Sequence, residues 1–114
     1  MVAQKLPQIK KAITQYVNAL EKMGIHVERV ILYGSYAKGH AHSASDIDII
    51  VISRDLAGWP PIERLQMLSR ATATIEAPLE VLGYTPQEIK RRGEKSIFWE
   101  EITKSGMEVY NRAA

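Results

Sequence analysis

Apolar residues recur along the chain with two spacings, which predict where its helices and strands lie. From residue 7 to residue 23 they fall at every third or fourth position, the stripe of an amphipathic helix, at Ile9, Ile13, Tyr16, Val17 and Leu20. A similar stripe over residues 62–75, with Pro61 near its start, predicts a second helix. Two shorter helices are predicted, one after the capping signal at Thr85 and one around Trp99.

Runs that are continuously apolar or strictly alternating predict four strands, at residues 27–33, 46–53, 77–84 and 107–111. In the third strand Leu79 and Val81 share one face, while Glu80 and Leu82 share the other. A chain of 114 residues with 46% apolar content can bury a core of its own. We therefore expect one α/β domain that spans residues 1–114.

The connection between the first two strands contains the candidate chemistry. The apolar run at residues 30–33 stops at Gly34 and Ser35, which predicts a tight turn where glycine permits a positive φ and the close approach of a ligand. A polar loop follows at residues 36–45. Ser35 and the backbone N–H groups around Gly34 can form an anion-binding concavity, and Lys38 supplies a positive charge for a phosphate.

Acids at the start of the second strand strengthen this interpretation. Because side chains alternate along a strand, Asp46 and Asp48 share a face, with Cα atoms roughly 6.5–7 Å apart. Such a pair suits Mg²⁺, which takes hard oxygen ligands and completes its shell with water and substrate phosphate. A third carboxylate is expected from the third strand. Glu80 and Glu76 are an even number of residues apart and would lie on the same face of a strand, so either could be the third carboxylate. A further alternative is that the third strand lies at the edge of the sheet and Glu80 is simply exposed to water.

Composition narrows the class of protein. The net charge of +2 is too small to indicate binding to nucleic acid or to a membrane, and the absence of cysteine excludes disulfides and thiolate metal sites. There is no run of 18 apolar residues and no signal-peptide pattern, so a soluble cytoplasmic protein is expected. Histidines in polar loops are usually solvated, and His40 and His42 are therefore left out of the metal site.

These motifs resemble those of a known family. The segments GSYAKG at residues 34–39 and SDIDI at residues 45–49 resemble the G-S-x-A-[RK]-G … S-D-x-D-[LI] signature of the nucleotidyltransferase superfamily that includes DNA polymerase β. More narrowly, the chain resembles the minimal nucleotidyltransferases, or MNT proteins, of bacteria and archaea. Lys38 replaces the commoner arginine and loses its bidentate fork, and Glu80 replaces the commoner aspartate.

The resemblance implies a fold, a site and a reaction. The fold is a mixed β-sheet with helices packed on one side. Nucleotide binding is implied for Gly34, Ser35, Lys38 and Ser45. Catalysis and the binding of two Mg²⁺ ions are implied for Asp46, Asp48 and Glu80. The reaction transfers AMP from ATP to a hydroxyl group with release of pyrophosphate, and the choice of ATP rests on the resemblance alone.

The resemblance also implies a partner. MNT proteins pair with a HEPN-type toxin, whose hydroxyl-bearing side chain they adenylylate, and this chain would then be the antitoxin. Because the core takes up the 114 residues, a partner is expected to supply the acceptor side of the cleft. The candidate docking surfaces are the helix around Phe98 and Trp99 and the basic segment 90–95, and self-association is the alternative. The rival functional class is a catalytically silent module that binds its partner through the same surface.

Overall fold

In the computed structural model, which describes residues 5–42, 44–92 and 96–113, the chain forms a four-stranded sheet with helices on both faces. The helices are α1 (Leu6–Lys22), α2 (Gly34–Lys38), α3 (Pro61–Arg70), α4 (Pro86–Arg92) and α5 (Ile97–Ser105). The strands are β1 (Arg29–Tyr33), β2 (Ile47–Ile52), β3 (Leu79–Tyr84) and β4 (Met107–Asn111). Two 3₁₀ turns, Arg54–Leu56 and Ala71–Thr74, flank α3.

The sheet is mixed, as predicted. Its order is β3-β2-β1-β4, with β1 antiparallel to both β2 and β4, and β2 parallel to β3. The parallel pair is joined by the crossover that contains α3, because parallel neighbours cannot be connected by a hairpin. Every residue of the inner strand β2 is buried except Asp48, which is half-buried. A strand this apolar is stable only when both of its faces are covered. Asp48 is its only charged residue.

Helices α1 and α3 cover the first face of the sheet. The apolar stripe predicted for α1 is confirmed, and it packs with Met67 and Leu68 of α3 against the side chains of β1, β2 and β3 that point to this face. Tyr16 of α1 is fully buried, and its hydroxyl donates a hydrogen bond of 2.6 Å to the carbonyl oxygen of Leu68. This bond satisfies a polar group that would otherwise be costly to bury.

Helix α5 covers part of the second face, which corrects the prediction of helices on one side only. Trp99 and Ile102 of α5 pack against Ile50 and Ile52 of β2, and Ile89 of α4 joins this cluster. The physical reason is that alternate residues of β2 are apolar on both faces, so the second face also gains from being removed from water. The packing of Trp99 on the sheet agrees with the amphipathic pattern around it.

The segment after β1 also differs from its prediction. The sequence predicts a tight turn at Gly34 and Ser35, but residues 34–38 form the short helix α2. The helix ends where the N–H of Gly39 donates to the carbonyl oxygen of Ser35. Five residues are too few for an apolar periodicity to show, so the sequence pattern could not distinguish this helix from a turn.

Helix α4 begins with the capping box predicted at Thr85. The Thr85 N–H donates to Glu88 Oε1 at 2.8 Å, and the Glu88 N–H donates to Thr85 Oγ1 at 3.1 Å. Glu88 also forms an ion pair of 2.7 Å with Arg64 of α3, whose guanidinium donates to the carbonyl oxygens of Leu56 and Gly83. These bonds fix α4 to α3 and to the end of β3.

Within the described part of the chain, no helix has the length and apolar character needed to cross a membrane.

Candidate active site

Three side chains form a row across the second face of the sheet. In the strand register Tyr33 of β1 is the partner of Asp48, and Asp48 is the partner of Glu80 of β3. Residues paired in this way point to the same face, so the three side chains lie side by side. We call them the polar row. Asp48 and Tyr33 are half-buried, whereas Glu80 on the edge strand is exposed.

Gly34 brings the start of α2 into contact with the polar row. A Cβ built on Gly34 would overlap the Oδ2 atom of Asp48, and the residue has a φ of 72°, in the left-handed region. Both the space and the backbone conformation therefore require glycine. Gly34, which the sequence predicts to bind phosphate, and Asp48, which it predicts to bind a metal, therefore lie in contact in one site.

The electrostatics of the polar row show an acid that resists ionisation. The pKa of Asp48 is raised to about 6, first by burial, then by the charge of Glu80, by a hydrogen bond between the two carboxyl groups and by the charge of Asp46. Burial, followed by the charges of Asp48 and Glu80, raises the pKa of Tyr33 to about 12. Each of these influences raises the pKa of Asp48, and a bound cation would act in the opposite direction.

The other residues predicted for the site are placed around this centre. Asp46 is exposed and immediately precedes β2, and its charge is the weakest of the influences on Asp48. Ser45 is buried, and its hydroxyl accepts a hydrogen bond of 2.9 Å from the His42 N–H, which braces the loop before β2. Ser35 is half-buried, and its carbonyl oxygen accepts from the N–H of His40.

Lys38 is turned toward α5 in this structure. Its Nζ atom lies 2.7 Å from Oε1 of Glu101, and the lysine and glutamate side chains are 39% and 51% exposed. The ion pair holds the pKa of Glu101 below its usual value, so this carboxylate is charged at neutral pH. Sequence reasoning missed Glu101 because only the docking of α5 on the sheet brings it to Lys38.

Glu76, the rival for the third carboxylate, lies elsewhere. It is exposed in the segment between the second 3₁₀ turn and β3, and it lines a surface cavity with Gln15, Asn18 and Lys22 of α1. Helix α1 packs on the first face of the sheet, whereas Asp48 points to the second. The structure therefore places Glu80 beside Asp48 and leaves Glu76 apart from it.

The donor set fits Mg²⁺ bound with a nucleotide. Within residues 5–42, 44–92 and 96–113, no three acidic or histidine side chains converge closely enough to enclose a metal ion by themselves. Mg²⁺ usually takes only one or two carboxylates and completes its octahedron with phosphate oxygens and water. Asp48 and Glu80 provide such a pair, and His40 and His42 are not needed for it.

Aromatic rings border the polar row. Phe98 of α5 packs edge-to-face on Tyr33 with ring centroids 5.6 Å apart, and Trp99 packs in the same way on Tyr84 at 5.2 Å. The neighbouring Ile97 is 87% exposed. Helix α5 therefore presents an apolar surface directly beside the acids. Sequence reasoning could name Phe98 and Trp99, but it could not place them next to Asp48.

We expect Asp48 to make the metal-free chain less stable as the pH rises from about 4 to 6. Its pKa is about 6 in the folded chain against a usual value of 3.8, so between these values the unfolded chain has released a proton that the folded chain retains. A rise in pH therefore favours unfolding, by about 1 kcal/mol once solvent screening is allowed for. Denaturant titrations of the wild type and Asp48→Asn across this range measure the difference.

The variant is the necessary control, because other carboxylates act in the opposite direction. Ion pairs and hydrogen bonds lower the pKa values of Asp55, Glu101 and Glu108, and these groups stabilise the fold as the pH rises. Both chains share that contribution, and only Asp48 is removed. The expectation would be contradicted if the difference in unfolding free energy between the wild type and Asp48→Asn were the same at pH 4 and pH 6.5.

Comparisons with known proteins identify the family of the chain. The family model described as "Nucleotidyltransferase domain" matches residues 13–108. Two proteins of Methanocaldococcus jannaschii are similar to the chain, each named "putative protein adenylyltransferase". One is 46% identical over 44 residues, which cover 38% of this chain and 44% of that protein. The other is 28% identical over 83 residues, which cover 73% of this chain and 79% of that protein.

Solved structures share the fold. The crystal structure of a "putative nucleotidyltransferase" from Sulfolobus solfataricus matches with a TM-score of 0.63 and 20% identity, over 95% of this chain and 81% of that one. A toxin–antitoxin structure with AMP-PNP matches with a TM-score of 0.54 and 21% identity, over 90% of this chain and 73% of that one. The predicted α/β nucleotidyltransferase fold and the predicted nucleotidyltransferase class are confirmed by the family match. The family match extends from α1 to β4 and the fold agrees with it, so the chain belongs to the nucleotidyltransferase domain family.

Proposed function

We propose that the chain is a Mg²⁺-dependent nucleotidyltransferase that moves AMP from ATP to a hydroxyl group of a partner protein. The observation that carries the proposal is the contact of Gly34 with Asp48, with Glu80 next to Asp48 in register. The start of helix α2, whose backbone N–H groups suit a phosphate, therefore adjoins two carboxylates that suit a cation. The name of the two relatives, "putative protein adenylyltransferase", supports the same reaction.

Asp48 and Glu80 would hold the metal, whereas Asp46, which the sequence predicts as a third ligand, does not complete a three-carboxylate group with them in the described part of the chain. When bound, Mg²⁺ neutralises phosphate charge and lowers the pKa of the acceptor hydroxyl, and a second ion is expected from the family resemblance. The raised pKa of Asp48 supports this assignment, because a cation beside the carboxylate offsets the causes of the shift, which are burial first and then the negative charge of Glu80. The pair also lies on strands, which hold the two carboxylates at a fixed separation.

The remaining residues bind, orient and move a proton. Ser35 and its neighbours in the first turn of α2 have backbone N–H groups without a carbonyl partner inside the helix, and these would bind the β- and γ-phosphates. Glu80 would accept the proton of the acceptor hydroxyl. The acceptor oxygen then bonds to the α-phosphorus, the bond from that phosphorus to the bridging oxygen breaks, and pyrophosphate leaves. Positioning and charge neutralisation supply most of the rate.

The acceptor that we propose is a HEPN-type toxin, which would make this chain an MNT-type antitoxin. Support comes from the family resemblance of the two motifs and from the structural neighbour described as a toxin–antitoxin with AMP-PNP. Phe98 packs on Tyr33 of the polar row, and with its exposed neighbour Ile97 it offers a docking surface on α5. The basic segment 90–95 lies in part outside the described residues. A cytoplasmic location stays a prediction, and self-association stays the alternative to a partner protein.

Co-expression of the chain with the protein encoded next to it tests this proposal. We expect the intact mass of that neighbour to increase by whole AMP units, because its hydroxyl group receives AMP at the polar row. Asp46→Asn and Asp48→Asn, which keep the side-chain volume, are the matched controls and should leave the neighbour unmodified. In transfer assays with the four NTPs side by side, ATP should be the preferred donor.

An unmodified neighbour in a tight complex with the wild-type chain would contradict the proposal. That result would favour the rival class, a silent module that acts by binding alone, and in that case the two substitutions should leave the complex intact.

A further inference from the structure

Lys38 pairs with Glu101 and lies in the same short helix as the residues to which the proposed function assigns the phosphates. In this structure its Nζ atom contacts Glu101 at 2.7 Å, while its backbone lies one helical turn after Gly34. Side chains of a helix lean toward its N-terminus and cover the preceding turn. The Lys38 side chain can therefore reach the start of α2, where the proposed function places the phosphates, after a change of rotamer and without movement of the backbone.

The ion pair with Glu101 is suited to exchange. Both side chains are partly exposed, and exposed ion pairs contribute little to stability because water competes for both charges. A lysine has a flexible stem and a compact charge, and it does not need the fixed bidentate geometry of arginine. A nucleoside triphosphate carries several negative charges, so it attracts the ammonium group of Lys38 more strongly than a single carboxylate does.

We propose that Glu101 is an exchangeable counter-ion of Lys38, which holds it against α5 without nucleotide and releases it to the phosphates of ATP. Glu101 is thus a positioning residue that acts through Lys38 and opposes nucleotide binding. Binding of ATP breaks this tie between α2 and α5, the helix that carries Ile97 and Phe98. The inference rests on the proposed function, because it assumes that ATP binds at the polar row.

Titration of the chain with Mg²⁺ and AMP-PNP at low ionic strength tests the exchange. Glu101→Gln should bind AMP-PNP about two- to fivefold more tightly than the wild type, because it removes the competitor but keeps the side-chain volume. Glu100→Gln is the matched control, since it removes the same charge from the neighbouring position, where Glu100 pairs with Lys104 at 3.4 Å. It should change the affinity by less than the Glu101 variant does.

A double-mutant cycle shows whether the effect passes through Lys38. In a Lys38→Ala background, Glu101→Gln should no longer increase the affinity. In the chain that keeps Lys38, Glu101→Gln should lower the KM for ATP in steady-state transfer without raising kcat. Unchanged or weaker binding by Glu101→Gln, or the same gain without Lys38, would overturn the inference. If the wild type does not bind AMP-PNP at all, the proposed function fails and the inference fails with it. Binding by the wild type without the Glu101 effect overturns the inference alone.

Discussion

Replacement of Asp48 by asparagine is expected to reduce AMP transfer by about a thousandfold or more. Asp48 lies at the centre of the polar row, between Tyr33 and Glu80, and Gly34 packs directly on its carboxylate. Asparagine fills the same volume but has no charge to bind a cation. Loss of a metal ligand removes several kcal/mol of transition-state stabilisation, and each 1.36 kcal/mol corresponds to a factor of ten. Transfer of label from α-labelled ATP to the co-purified acceptor measures this.

Thermal unfolding without metal separates this loss from a loss of fold. At neutral pH the asparagine variant should be at least as stable as the wild type, because it removes a carboxylate whose pKa is raised first by burial and then by the charge of Glu80. A variant that melts earlier than the wild type would make the activity loss structural. Transfer within tenfold of the wild type would show that Asp48 is not a required ligand.

Glu80→Gln is expected to lower transfer by about a hundredfold or more, and Glu76→Gln to leave it within about twofold of the wild type. General acid–base groups typically contribute factors of about 10² to 10⁴. Glu80 lies beside Asp48 in the parallel register, whereas Glu76 lines a cavity with residues of α1 on the other side of the sheet. Both glutamates are exposed, so neither substitution should disturb the core. Single-turnover transfer at saturating ATP measures the chemical step directly.

Glu76 is a close control, because it is an exposed glutamate like Glu80 but lies away from Asp48. A pH profile adds a readout that a structural role would not change. If Glu80 accepts the acceptor's proton, the acidic limb of the rate profile should be lost in Glu80→Gln and kept in Glu76→Gln. Similar losses from both substitutions would contradict the assignment of Glu80.

Much of the fold could be predicted from local patterns. The α1 stripe, the four strands and the capping box at Thr85 each depend on residues close in sequence, and the structure confirms them. Strand parity placed Glu80 on the opposite face from Val81, but parity cannot show which strand lies next to it. The parallel register of β2 and β3 supplies this information, because it pairs Asp48 with Glu80.

What the sequence could not show depends on how distant elements pack. The second layer of helices forms because alternate residues of β2 are apolar on both faces, yet a continuous apolar run does not say what covers each face. The pair Lys38–Glu101 joins residues 63 positions apart and depends on the docking of α5. Helix α2 was predicted as a turn because its five residues carry no periodic pattern.

The contact between Gly34 and Asp48 has an evolutionary consequence. Position 34 is restricted twice, by the space that the Asp48 carboxylate occupies and by a φ of 72°. In a descendant that lost Asp48 to a small residue the first restriction would disappear, and asparagine, which tolerates the left-handed region, could then replace the glycine. If the proposed function holds, we expect glycine at 34 together with aspartate at 48 in lineages that use the acid, and joint replacement of the two in lineages that have lost catalysis.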